Sequence, residues 1–404
     1  MRIGKLRKTR ENNHVKYARE ISLSSEKKDM WICIDEAFAQ YFCEDRIDGY
    51  LVALLLRALK EGEDIEAEDA VSETLLFQLE KYLIPYLCKL NTELKPVKIK
   101  CNTLPDINTL QERVTATGIS CGVDSLSTLI YHTGQERYSS RNINCLTLFN
   151  AGYYGEGNNS SELFKKYVVQ SEDFCREHGF KFLVVDSNVY DFSAYHFLSM
   201  HTYLSCSLVL MLQNGISNYY YASGYPVFDF KNEFKDPAYY DLFLLQCLST
   251  RGLQFISSCS TMARVEKIEL VLQKPSYAKH LYVCLSGKLP GNCSVCEKCM
   301  RTLLAADSMG KVELLENSFD VALFYKKRNL FLGYMLRNKR KNVFYREIYQ
   351  NYRKHGRKIQ GLAYFAYFIP IKQDFLQLKN RMVKRMPEGL VKKLKEIRDN
   401  FLKG

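Results

Sequence analysis

Two short stretches carry residue types that could do chemistry. The first is Ser120-Cys121-Gly122-Val123-Asp124-Ser125, inside VTATGISCGVDSLSTL, residues 114–129. Two hydroxyls, one carboxylate and a residue without Cβ fall between a β-branched run and an apolar helical pattern. Gly122 lets a ligand approach the backbone, Ser120 and Ser125 offer hydroxyls, and the first N–H groups of the following helix point at any bound anion. Phosphate suits such a cradle best. A Walker A loop needs a Lys after its second Gly, and a dinucleotide fingerprint needs G-x-G-x-x-G; this stretch has neither. The second stretch holds Cys284, Cys293, Cys296 and Cys299, spaced C-x8-C-x2-C-x2-C. Short x2 turns bring neighbouring thiolates into one coordination sphere, and four thiolates complete tetrahedral Zn²⁺ with no position left for water. The predicted role is structural; an iron–sulfur cluster and four unligated thiols are the other readings of that spacing.

Strands and helices must place these residues. From about 110 to 310 the two patterns alternate, which predicts an α/β fold with an open parallel sheet and crossover helices. Strands are expected at RVTATGIS, NINCLTLFN, FKFLVVDSN and NYYYASGY, with helices at SELFKKYVVQSEDFCREHG and FSAYHFLSMHTYLSCSLVLMLQNG. Gly179 and Gly215, at the ends of those helices, read as C-caps. Such a sheet binds ligands outside the carboxyl ends of its strands, where residues 120–125 fall. Residues 1–29 read as a polar leader or a few short strands. A small α+β region follows, with one strand, MWICID, and helices at GYLVALLLRALKEG and VSETLLFQLEKYLIPYLCKLN. The expected division is an N-terminal α+β accessory domain over 1–105, the main domain with the cysteine cluster over 106–311, and a basic helical extension over 312–404.

At 404 residues, 47% hydrophobic and 25% charged, the chain has the composition of a globular protein of two or three domains. No run of 18 apolar residues and no apolar segment behind the basic N-terminus is present, which predicts a cytoplasmic protein without a spanning helix. Ten of the 14 cysteines are scattered singly and read as reduced core residues. The net charge of +12 is concentrated at one end: from Lys326 onward there are 22 Lys and Arg against 5 Asp and Glu.

The string Ser120-Cys121-Gly122-Val123-Asp124-Ser125 resembles the S-G-G-x-D-S signature of the pyrophosphate-loop ATPases, the adenine nucleotide α-hydrolase superfamily. The cysteine spacing, and Lys267-Ile268-Glu269-Leu270-Val271 beside that family's K-x-E-I-V segment, make the region from about 110 to 310 look like a relative of the 7-cyano-7-deazaguanine synthases of queuosine biosynthesis. The resemblance implies a Rossmann-type pyrophosphate-loop (HUP-like) fold with ATP, Mg²⁺ and Zn²⁺. It implies catalytic roles for Asp124, Ser125 and Lys267, and phosphate binding by residues 120–125, Arg264 and Lys267. Phe149 and Asn150 would lie beside adenine, and Ser223, Gly224 and Tyr225 on the substrate side. Cys121 stands where the family has Gly; if that position needs φ > 0, a Cys there is strained by about 1 kcal/mol or more. Asp229, Glu233 and Asp236 fall in a loop that suits metal, substrate or plain solvation, and Arg251 is a candidate anion contact.

The implied activity is an ATP-dependent, AMP-forming ligase or amidotransferase. It would adenylate an oxygen of a small molecule, sugar or base for attack by an amine or ammonia. Two further readings stay open: a tRNA or DNA modification enzyme, and a catalytically silent zinc-stabilised binding module. In the tail, GLAYFAYFIPI followed by a basic amphipathic helix interrupted at Pro387 suits an anionic membrane surface at the inner face of the membrane. The interleaved aromatics also suit nucleic acid, and a solvated extension accounts for the same residues. A homodimer is compatible with the sequence.

Overall fold

A computed structural model describes residues 1–105, 112–154, 158–284, 291–370 and 374, without the side chains of 158–160. The chain divides into two compact units, Met1–Tyr282 and Val283–Gly404. In the first, the strands are β1 (Arg2–Glu11), β2 (His14–Ser22), β3 (Lys27–Asp35), β4 (Ile65–Ala67), β5 (Val71–Ser72), β6 (Ile99–Lys100), β7 (Thr103–Leu104), β8 (Val114–Gly118), β9 (Cys145–Phe149), β10 (Lys181–Ser187), β11 (Ile216–Ala222) and β12 (Gln254–Ser258). Ten of them form one sheet in the order β12-β11-β8-β9-β10-β3-β2-β1-β4-β6, while β5 and β7 pair separately.

The half that runs from β12 to β10 is parallel throughout. Its central strands β8 and β9 are buried nearly end to end, as expected of a sheet with crossover segments on its faces. From β8 the chain moves to β9 and β10 on one side, then crosses back to β11 and β12 on the other. The carboxyl end of β8 therefore lies at the point where the winding reverses, which is where open α/β sheets form a crevice.

Three expectations need correction. The N-terminal residues form strands, the second of the two readings, and residues 1–105 fall in one compact unit with the parallel strands. β1 and β2 form a long hairpin that turns at Asn12 and Asn13, both with positive φ (47° and 61°), the conformation a tight hairpin turn demands and Asn tolerates. β3 then pairs antiparallel with β10, so these strands extend the main sheet and the sheet is mixed. Gly215 is not a left-handed C-cap, since the helix Phe197–Met211 ends earlier. A Cβ at Gly215 would sit 2.0 Å from the Tyr41 ring, so close approach is what requires glycine there. Gly179 does adopt the left-handed conformation, with φ 73°. Finally, the cysteine cluster lies in the second unit, not with residues 112–282.

The second unit begins with the cysteines and continues through helices Glu297–Met309, Val321–Asn338, Val343–Lys354 and Gly361–Ala366. Asp307 is buried at its centre, where Arg328 bonds it at 2.8 Å and the Tyr352 hydroxyl donates to it. The expected amphipathic helix around Pro387 lies outside the described residues.

Candidate functional site

The β8 strand ends at Gly118, the Ile119 N–H still donates to Thr147 O at 2.9 Å, and the chain then turns into the helix Val123–Tyr131. In the turn Cys121 has φ 53°, the left-handed conformation that costs an L-residue about 1–2 kcal/mol. Its carbonyl accepts the Tyr282 N–H at 2.8 Å, and its buried thiol, pushed up to about 12 by desolvation, points into the protein. The Ser120 hydroxyl accepts the Gly122 N–H at 3.4 Å, and the Ser125 hydroxyl donates to Gly122 O at 3.1 Å. Gly122 is the N-cap and has no side-chain capping bond, so the amides of the first turn, including that of Val123, have no side-chain acceptor from the cap.

Arg264 and Lys267 sit three apart on the helix Arg264–Leu272 and project from one face toward Asp124, in the first turn of the loop helix. Arg264 Nη1 lies 2.7 Å from Asp124 Oδ2, and Lys267 Nζ lies 3.2 Å from Oδ1. Lys267 is only 1% exposed and also donates to Ser223 O at 2.6 Å; Arg264 donates to Gly224 O at 3.4 Å. The ends of β8 and β11 and the start of the helix after β12 thus converge on one cluster. An ammonium has three donors, and two of those on Lys267 are taken by Asp124 and Ser223.

Two titratable residues were not anticipated, Asp241 beside Lys267 and His132 at the far end of the loop helix. Asp241, at the start of the helix Asp241–Leu248, is buried, and burial raises its carboxyl to about 6 against the opposing Ser257 hydroxyl and Lys267 charge. Its Oδ1 accepts the Ser257 hydroxyl at 3.3 Å, while Oδ2 has no hydrogen-bond partner. His132 stacks on Tyr220 with ring centroids 3.7 Å apart, bonds Ser258 Oγ at 3.0 Å, and is lowered to about 4 by desolvation. In sequence Asp241 looks like an ordinary acidic residue in a first helical turn, and His132 like a helix end.

Other expected site residues are placed differently. Phe149 ends β9, packed against the core, and the Asn150 amide donates to Asp186 at 2.7 Å. Ser223 is fully buried, its hydroxyl donating to Tyr225 O at 2.6 Å, and the Tyr225 ring stacks on Tyr239 at 4.2 Å. Asp236 caps a short turn through Ala238 N–H and faces His201 at 3.2 Å. Asp229, Glu233 and Asp236 do not converge as a metal-binding group among the described residues. Arg251 is exposed in the turn before β12.

The cysteine cluster could hold a metal such as zinc. All four sulfurs lie within 4.8 Å of one another, with Cys293 to Cys299 at 3.9 Å, Cys296 to Cys284 at 4.0 Å and Cys296 to Cys299 at 3.4 Å. Tetrahedral Zn–S bonds of about 2.3 Å put sulfurs about 3.8 Å apart, so the fit is close. The Cys293 and Cys296 amides donate to Cys284 Sγ and Cys293 Sγ at 3.4 and 3.3 Å, the outer-shell bonds that orient thiolate ligands. Ser294 holds the intervening turn with φ 57°, and its hydroxyl accepts the Asp320 N–H at 2.9 Å. Comparison with family models, curated proteins and solved structures finds no match for this chain, so its assignment rests on these two sites.

Proposed function

We propose that the first unit is an ATP-dependent, AMP-forming ligase or amidotransferase. The supporting observation is the convergence of Asp124, Lys267 and Arg264 beside the small-residue turn at the point where the sheet's winding reverses. First-turn amides at 120–125 would receive the β- and γ-phosphates, and Lys267 and Arg264 would offset the charge that grows on the departing pyrophosphate. A carboxylate or amide oxygen of the substrate attacks the α-phosphorus, and the bond from that phosphorus to the bridging oxygen breaks. An amine or ammonia then attacks the activated carbon, AMP leaves, and a proton is lost. Mg²⁺ would be held by Asp124 with phosphate oxygens and water, a set that needs only one protein carboxylate. Zinc on the four cysteines is the structural metal of the second unit in this reading.

Pyrophosphate release from ATP with a panel of carboxylates tests it. Turnover should fall at least about a hundredfold in Asp124→Asn, which keeps the side-chain shape but removes the charge. Calorimetry that detects no ATP uptake by the wild type, or an Asp124→Asn variant with undiminished turnover, overturns the reading.

For the second unit we propose docking on an anionic membrane surface. No helix among the described residues is long and apolar enough to cross a membrane. The helix Gly361–Ala366 nevertheless turns its alanines, Ala363 and Ala366, inward and its large residues outward, with Phe365 76% exposed and Phe368, in the turn that follows, 81%. Arg353, Lys354, Arg357 and Lys358 precede it without an intervening carboxylate. Apolar side chains flanked by cations suit an anionic lipid interface.

A further inference from the structure

We propose that Glu177, His178 and His280 form a second metal site in the first unit, for a borderline divalent ion such as zinc. Glu177 and His178 end the helix Asn158–His178, and His280 follows the short helix Pro275–Ala278. One ligand atom from each lies within 4.8 Å of the others. His280 Nε2 is 2.9 Å from Glu177 Oε2, and His178 Nε2 is 3.7 Å from Glu177 Oε1. Tetrahedral bonds of about 2.1 Å put donor atoms about 3.4 Å apart, inside the 4.8 Å that bounds these three, so side-chain shifts of about an ångström would close the sphere.

Two features distinguish this group from a chance surface cluster. His178 Nε2 is buried without a hydrogen-bond partner, while the same ring lies against the Ser276 main chain. A ligand imidazole is commonly held with one nitrogen on a carbonyl and the other presenting its lone pair. Both rings are also fixed by packing: Phe174 lies 4.6 Å from His178 and 5.2 Å from His280, and Tyr277 lies 4.5 Å from His178. Lys279 bonds Glu177 Oε1 at 2.6 Å, which orients the carboxylate.

Two imidazoles and one carboxylate suit zinc and its neighbours, and three protein ligands leave a position for water. The position also has a consequence for the phosphate loop. Two residues beyond His280, the Tyr282 amide holds the carbonyl of left-handed Cys121, so the metal would brace the segment from which that turn hangs.

Equilibrium dialysis of the full chain against Zn²⁺ tests the proposal without reference to ATP. Wild type should retain one more zinc ion per chain than His178→Gln or His280→Gln, with the four-cysteine complement the same in all three. Affinity at the second site should fall at least about a hundredfold in each variant. Added Zn²⁺ should raise the Tm of the wild type further than that of either variant, a linkage that a merely structural hydrogen bond would not produce. Equal zinc content in wild type and both variants, or an equal rise in Tm, overturns it.

Discussion

Cys121 shows how a single residue can report on backbone demand. At most positions Ala is more stabilising than Gly by about 0.5–1 kcal/mol, because Gly loses more backbone freedom on folding. At φ 53° the order should reverse, since any Cβ there meets the left-handed penalty. Cys121→Gly and Cys121→Ala both lose the buried thiol, so their difference isolates the strain. Cys121→Gly should be the more stable by about 1 kcal/mol in urea unfolding, and the ordinary order would mean that the turn is relaxed. His132 makes a second prediction at this scale. Its imidazole is lowered to about 4 by burial from the usual value near 6.5, so the unfolded state takes up a proton that the folded state refuses. The associated stability is fully present above about 6.5 and is lost as pH falls toward about 4, by at most about 3 kcal/mol. Asp241, raised to about 6 from 3.8, acts with the opposite sign over most of that window. His132→Gln should flatten the acid limb of the pH–stability curve; an unchanged limb would show that another group dominates it.

Among elements, the contact of the helix Asp48–Glu61 with Phe197–Met211 fastens the N-terminal strands to the parallel half-sheet. Gly49 makes it possible: a Cβ there would sit 2.3 Å from Ser207 O and 2.4 Å from Met211 Cγ. The neighbouring Asp48 is buried and is bonded by Ser72 N–H at 2.8 Å and Gln213 Nε2 at 2.8 Å, so the pair cannot slide apart without exposing a carboxylate. Gly49→Ala should cost about 3 kcal/mol by overpacking, read as a lower urea midpoint with the m-value retained. A variant that unfolds at the wild-type midpoint would mean that the two helices yield more readily than their spacing implies.

For the whole molecule, the two units pose separate questions, one of nucleotide chemistry and one of metal and surface. Cosedimentation with phosphatidylcholine vesicles, with and without phosphatidylglycerol, should show binding only to the anionic set, weakening with salt. Phe365→Ser with Phe368→Ser should reduce that binding about tenfold or more while leaving the helical circular dichroism unchanged. Undiminished binding by the double variant, a preference for single-stranded RNA over vesicles, or a dimer that the double substitution breaks would each overturn membrane docking.

By itself the sequence determined the local pieces whose signals are carried by neighbouring residues. These are the strand, small-residue turn and helix at 114–131, the x2 spacing of the cysteines, and the alternation that predicts an α/β fold, because periodicity and turn chemistry act over a few residues. Tertiary structure alone decided what depends on distant partners. That β3 extends the sheet through β10, that Lys267 is buried on Asp124 across 143 positions, that Asp241 borders this cluster, that His132 stacks on Tyr220, and that His280 meets Glu177 across 103 are matters of register and packing. No window of neighbouring residues carries that information, since it is the shared burial of remote segments that sets it.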